Sequence, residues 1–237
     1  MVSQMVGDTP KAADGAGSAL WMSTFAFTAC FAVWTIFSII GVQIKQDLGL
    51  SEAQFGLLAG TPILTGSLVR VLLGVWTDQY GGRVVNLMVM LSAALATFLL
   101  SYAETYPQFL IAALGVGMAG GSFAVGIAYV SKFFPKEKQG TALGIFGAGN
   151  VGAAVTKFAA PFVMIAFGWQ SVAQIWAGAL AVIAVAFFLL TRDDPALIER
   201  RRTGAKAEST AMQFTPLMKL QVWRFSLYYF FVFGAFV

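Results

Sequence analysis

Residues 139–165 read QGTALGIFGAGNVGAAVTKFAAPFVMI. The run is long and apolar enough to cross a bilayer core, which takes about 20 residues of helix. It is crowded with glycines (Gly140, Gly144, Gly147, Gly149 and Gly152), which lack a side chain and so let another backbone or a ligand come close. It also holds two residues that a lipid-facing helix avoids, Asn150 and Lys157. A lysine at membrane depth costs about 2.5–3.5 kcal/mol on insertion scales, so it normally faces a protein-lined cavity and has a task there. The stretch reads as a membrane helix lining a narrow polar passage.

The rest of the chain agrees. Of its 237 residues 58% are hydrophobic and 11% charged, and the mean hydropathy is +0.77; soluble domains carry about 25% charged residues. The fold class is therefore all-α and polytopic. Spans are expected at about 20–42, 53–76, 84–103, 107–133, 139–165 and 171–191. A further apolar run starts near Trp223 and has about 15 residues to Val237, where a span needs about 20. The division is thus a polar tail (1–19), a six-helix bundle (20–191), a polar linker (192–222) and an incomplete seventh helix (223–237). The chain reads as the N-terminal half of something larger, or a truncated copy.

Charge sets the expected orientation. Arg83, then Lys132, Lys136 and Lys138, then Arg192, Arg200, Arg201, Arg202, Lys206, Lys219 and Arg224 lie on alternate connections, whereas the opposite connections hold only Lys45. By the positive-inside rule the N-terminus is cytoplasmic and helices 2, 4 and 6 run inward across an inner cell membrane. The ERRR run at 199–202 fits a topology determinant better than a lipid site, and the net charge of +4 is loop bias, not a sign of nucleic acid. Trp21, Trp76, Tyr80, Tyr102, Tyr106 and Trp169 fall near helix ends, as interfacial anchors do. Residues 1–19 have no basic stretch leading into an apolar core, so they read as a tail and not a cleaved signal. With no histidine and one cysteine, Cys30, the chain has no haem or histidine-zinc ligand set and no internal disulfide. No cofactor, metal or enzymatic nucleophile–base pair is expected.

Helix 2 ends in Gly74-Val-Trp-Thr-Asp78-Gln-Tyr-Gly81-Gly82-Arg83. On local chemistry this is a tight turn capping helix 3, with glycine supplying positive φ and Asp78 accepting backbone donors. It also resembles the loop 2–3 signature of the major facilitator superfamily, with Gln79 where that family often has a basic residue. Within that family the chain is similar to the nitrate/nitrite porter branch. The similarity rests on Gly147-Ala-Gly-Asn-Val-Gly152 followed by Lys157 and Pro161, on Arg70, and on Gly120-Gly-Ser-Phe123. It implies a secondary transporter of nitrate or nitrite working by alternating access. Arg70 and Asn150 would contact the anion and Phe123 would pack on it, with Gly120, Gly147 and Gly149 beside it. Many members have glutamine where this chain has Lys157, and the lysine matches a subgroup proposed to carry protons with the anion.

The residues themselves lead to a compatible place. Helical side chains lean toward the helix N-terminus, so Arg70 and Lys157, on helices running opposite ways, both lean to the midplane. Each sits about 12 Å from its helix end, too deep to snorkel easily against that lean. The six spans hold no Asp or Glu near their centres; Glu52 and Glu104 lie at ends. Cations with no acidic mate suit an anion: a guanidinium offers a planar fork, Asn150 a further donor, and the glycines close approach. The same lack disfavours a hard metal cation. Helices 2 and 5 are second members of successive triplets, each with glycines and one cation, as inverted repeats of transporters would have. Two GxGxxG strings, 115–120 and 147–152, lie inside spans and so cannot be dinucleotide loops, which need a strand before them. Pro62 and Pro161 read as kinks and Cys30 as inert; Trp34 and Phe31 fit pathway or packing equally. The remaining alternatives are another small anion or organic acid on the same fold, and a non-transporting membrane subunit or sensor.

Overall fold

A computed structural model describes residues 11–205 and 210–236. Expectations for residues 1–10, for Lys206 and its neighbours to 209, and for Val237 lie outside the described residues. Among the described residues, six helices are long and apolar enough to cross a membrane: α1 (Ala16–Leu48), α2 (Glu52–Tyr80), α3 (Gly82–Leu100), α4 (Tyr106–Ser131), α5 (Lys136–Phe167) and α6 (Trp169–Leu190). They are followed by α7 (Pro195–Thr203), a turn at Thr210–Gln213, and α8 (Leu220–Phe236). Among the described residues there is no strand.

The helix ends follow local chemistry. Ser51 and Gln54 form a reciprocal capping box at the start of α2, and Thr105 and Gln108 do the same for α4, satisfying backbone donors that would otherwise be orphaned. Gly49 closes α1 at φ +61°, a left-handed cap that glycine adopts at little cost. α1 is not continuous. It breaks after Trp34 and resumes at Phe37, and Pro62 sits inside α2. Both α4 and α5 tighten to a 3₁₀ turn at mid-span, at Met118–Gly121 and Ala148–Val151, where their glycines cluster.

Those glycines are where helices cross. A Cβ on Gly152 would overlap the Thr28 carbonyl oxygen, and one on Gly66 would meet Gly117 and Gly120 of α4 at 3.0 and 3.3 Å. α1 is the most enclosed span, with Ala19, Ala26, Cys30, Ile36 and Ile40 fully buried. Thr156 of α5 joins three helices, accepting from Trp176 Nε1 (2.8 Å) and donating to the Ala32 carbonyl (2.7 Å). Trp169, expected as an interfacial anchor, is instead buried against Phe109; Trp21, Trp76, Tyr80 and Tyr102 do point outward. α2 and α5 are covered least. The rest of the chain buries only 28% and 22% of their apolar windows, against 61% for α1.

The signature turn ties the basic end of the bundle together. Gly81 has φ +92°, and a Cβ there would strike Leu197 of α7; one on Gly82 would strike Tyr129 of α4. Arg83 donates to the Phe188 carbonyl (2.6 and 3.1 Å) and stacks over the Phe188 ring at 4.2 Å. Asp78 pairs with Lys132 at 3.0 Å, while Arg200 donates to the carbonyls of Asp78 and Gln79. Asp194, fully buried, caps α7 through the Leu197 N–H (2.9 Å). So the first part of the segment expected as a polar tether is a helix docked under the turn.

Candidate functional site

At mid-span a cavity of about 210 Å³ is walled by Phe27 and Phe31 of α1, Arg70 of α2, Phe123 and Ile127 of α4, Leu143, Phe146, Gly147 and Asn150 of α5, and Tyr229 of α8. No acidic side chain lines it.

Arg70 is held from several directions. Its Nε donates to the Gly120 carbonyl at 3.1 Å, in the 3₁₀ turn of α4. A carbonyl oxygen has two lone pairs, so it accepts this bond without giving up its own helix. The guanidinium carbon lies 5.8 Å from the Trp34 ring and 5.7 Å from the Phe123 ring, within cation–π range of both. Tyr229 adds a side-chain hydrogen bond to the guanidinium. Trp34 is fixed in turn: its Nε1 donates to the Pro62 carbonyl (2.9 Å), and its ring fills the space where Gly120 has no Cβ. The break after Trp34, the proline of α2 and the glycine turn of α4 thus converge on one ring, and that ring packs beside the cation.

Asn150 lines the same cavity from the 3₁₀ turn of α5, and its Nδ2 donates to the Gly147 carbonyl at 2.8 Å. A carboxamide carries two N–H donors, so this bond fixes the amide while leaving it able to donate again. Aromatic rings complete the wall. Phe27 stacks on Phe146 with centroids 4.9 Å apart, and Phe123 lies 5.3 and 6.0 Å from those two. A cation, an amide and flat apolar faces lining one cavity suit a small planar anion.

The structure brings together Arg70, Asn150, Phe123 and Gly147 of the residues expected at the anion. Gly149 and Gly120 are placed differently. Gly149 faces the Phe27 ring, which a Cβ would strike, and Gly120 is covered by Trp34, offering only its carbonyl, to Arg70. Lys157 is not in this cavity. It lines a second one of about 240 Å³ with Phe31, Trp34, Thr35, Phe37, Ser38, Ala59, Ile63 and Ala153. Gly74, Asp78, Gly81, Gly82 and Arg83 belong to the basic end, Asp78 two turns (about 12 Å) along α2 from Arg70. Tyr229 had no signal of its own in the sequence, being one aromatic among many in α8. Trp34 had one: an indole N–H inside an apolar run needs an acceptor, and the proline-bearing helix supplies it.

The sequence profile of the Major Facilitator Superfamily matches residues 22–237. Similar relatives include the "Probable nitrate/nitrite antiporter NarK1" of Thermus thermophilus, 42% identical over 231 residues, covering 92% of this chain and 51% of the relative. The "Nitrite extrusion protein" of Bacillus subtilis is 34% identical over 219 residues, covering 92% and 53%. The "Probable nitrate transporter NarT" of Staphylococcus carnosus is 34% identical over 174 residues, covering 73% and 45%. The chain spans about half the length of these relatives. In fold it is similar to a bacterial homolog of the human lysosomal transporter Spinster, crystallised inward-facing and unoccupied, with TM-score 0.66 and 17% identity over 78% of this chain and 45% of that one.

Proposed function

The chain belongs to the major facilitator superfamily, and from that we propose that it forms the N-terminal six-helix half of a secondary transporter of nitrate or nitrite in the inner cell membrane, its basic end cytoplasmic. One observation carries this. Arg70 and Asn150, from helices far apart in sequence, both line one aromatic-walled cavity whose lining residues include no acidic side chain. The names of the relatives support nitrate and nitrite over other anions.

Transport by alternating access needs a second bundle to rock against. The open faces of α2 and α5 support this requirement: Gly56, Gly60, Gly140 and Gly144 each look into empty space. The 237-residue chain alone should therefore bind the anion and not move it. Nitrate uptake by proteoliposomes holding only this chain would contradict the need for a second half. Displacement of bound nitrate by nitrite, but not by acetate or benzoate, tests the substrate; displacement by the organic acids would favour that alternative.

Proton coupling is the second part of the proposal. Lys157 is the residue proposed for it, an amine that lines a cavity within the spans. With the second half supplied, Lys157→Gln should abolish accumulation driven by a pH gradient and remove the pH dependence of whatever nitrate counterflow remains. Unchanged pH-driven accumulation in that variant would exclude Lys157 as the carrier.

A further inference from the structure

We propose that Lys157 marks a second anion station, back to back with the Arg70 cavity across the rings of Phe31 and Trp34. The inference rests on the anion reading of the Arg70 cavity and deepens it from one binding position to two in series.

The placement comes from the walls of the two cavities. Phe31 lines both; Trp34 lines the Lys157 cavity and packs by the guanidinium of Arg70. Lys157 lies seven residues beyond Asn150 on α5, two turns or about 10 Å along the axis. Neither Arg70 nor Asn150 lines its cavity, and Lys157 does not line theirs. One small anion held between the Arg70 fork and Asn150 therefore does not also rest on the ammonium.

The chemistry of the second cavity is that of a cation site's mirror image. It contains no carboxylate, and Lys157 makes no ion pair among the described residues. The break in α1 adds two hydroxyls, Thr35 and Ser38. They now donate to the Phe31 and Thr35 carbonyls at 3.0 and 2.7 Å and can rotate toward a ligand, since a hydroxyl hydrogen turns to suit its partner. An ammonium facing apolar walls gains by holding an anion there. It does so as a point charge, without the planar fork that orients an oxyanion at Arg70. The Lys157 station should thus be the weaker and less selective of the two. Sites that bind enough to be entered and loosely enough to be left are what passage through a membrane protein requires.

The test uses the purified 237-residue chain in detergent, with equilibrium dialysis against ¹⁵N-labelled nitrate and gluconate as the inert anion. The wild-type chain should bind two equivalents. Arg70→Gln should lose the tighter one, Lys157→Gln the weaker one, and Lys157→Arg should keep both. Helical circular dichroism and a monodisperse elution profile establish that each variant is folded. A single wild-type equivalent, lost in Arg70→Gln and untouched by Lys157→Gln, would overturn the second station and leave the Arg70 cavity standing. Loss of all binding in either single variant would mean one shared site and would also overturn it. If Arg70→Gln keeps both equivalents while Lys157→Gln loses one, the station survives and the Arg70 reading fails. No binding to the wild-type chain overturns both.

Discussion

Arg70 is positioned by residues that never need to touch an anion. Gly120 gives it a carbonyl and gives Trp34 a seat, and Trp34 borrows the Pro62 carbonyl to stay there. Gly120→Ala should displace that ring. A Cβ would lie 2.8 Å from the indole and 3.2 Å from the Gly66 Cα, an overpacking that costs about 1–3 kcal/mol. A lowered thermal midpoint and weaker nitrate binding in the same variant are expected. Arg70→Lys keeps the charge but removes both the planar fork and the Nε bond to Gly120, so affinity should fall at least about tenfold, or 1.4 kcal/mol; titration calorimetry reads it. That Arg70, Asn150 and Phe123 line one cavity was legible because charge and amide inside a membrane span are expensive and demand a reason, and because the motifs around them are specific. Gly149 could not be placed from sequence for a physical cause: a glycine lets anything come near, and here it is a phenylalanine of the same chain. Tyr229 was hidden because an aromatic residue in an apolar helix violates no rule.

Among the elements, the spans could be read from hydropathy within a few residues, since lipid forces an apolar run of fixed length. The break after Trp34 could not, having no proline or glycine at Thr35 or Ile36 to announce it. The docked helix α7 was also missed, because its nine residues are mostly polar and only Leu197 is buried in the bundle. The signature turn shows what that leucine is for. Gly81 sits at φ +92° and ψ +143°, a region close to glycine-only, and Leu197 packs against it. Gly81→Ala should therefore cost about 1–3 kcal/mol and free α7 to proteases. Gly74→Ala, in the same motif but with nothing within 4 Å, should do neither. Limited trypsin digestion at Arg200–Arg202 distinguishes the two. Equal resistance of both variants would mean that the turn does not hold the helix.

For the molecule as a whole, the uncovered faces of α2 and α5 make an asymmetric expectation. Gly144 looks into open space and lies in a helix interior, where alanine is about 0.8–1 kcal/mol better than glycine. Gly144→Ala should therefore leave the isolated chain as stable or more so, read as an unchanged or raised midpoint. Once a second bundle is supplied, Gly144→Leu should lower uptake, because close helix contact depends on small residues. A destabilised isolated chain would place that face against something inside this bundle instead. That six spans form one bundle could be read from hydropathy; which of its faces the rest of the chain leaves uncovered could not, because a glycine stripe looks the same in sequence whether it is covered or open.

The anchoring of α7 also sets the length of a leash. With Leu197 seated against Gly81, only residues 204–219 separate α7 from α8, and a stretch of that length spans no more than about 58 Å even when fully extended. Whatever α8 belongs to is consequently kept within a molecule's width of the cavity, so Tyr229 meets Arg70 as a neighbour on a short tether and not as a stranger drawn from the bulk membrane.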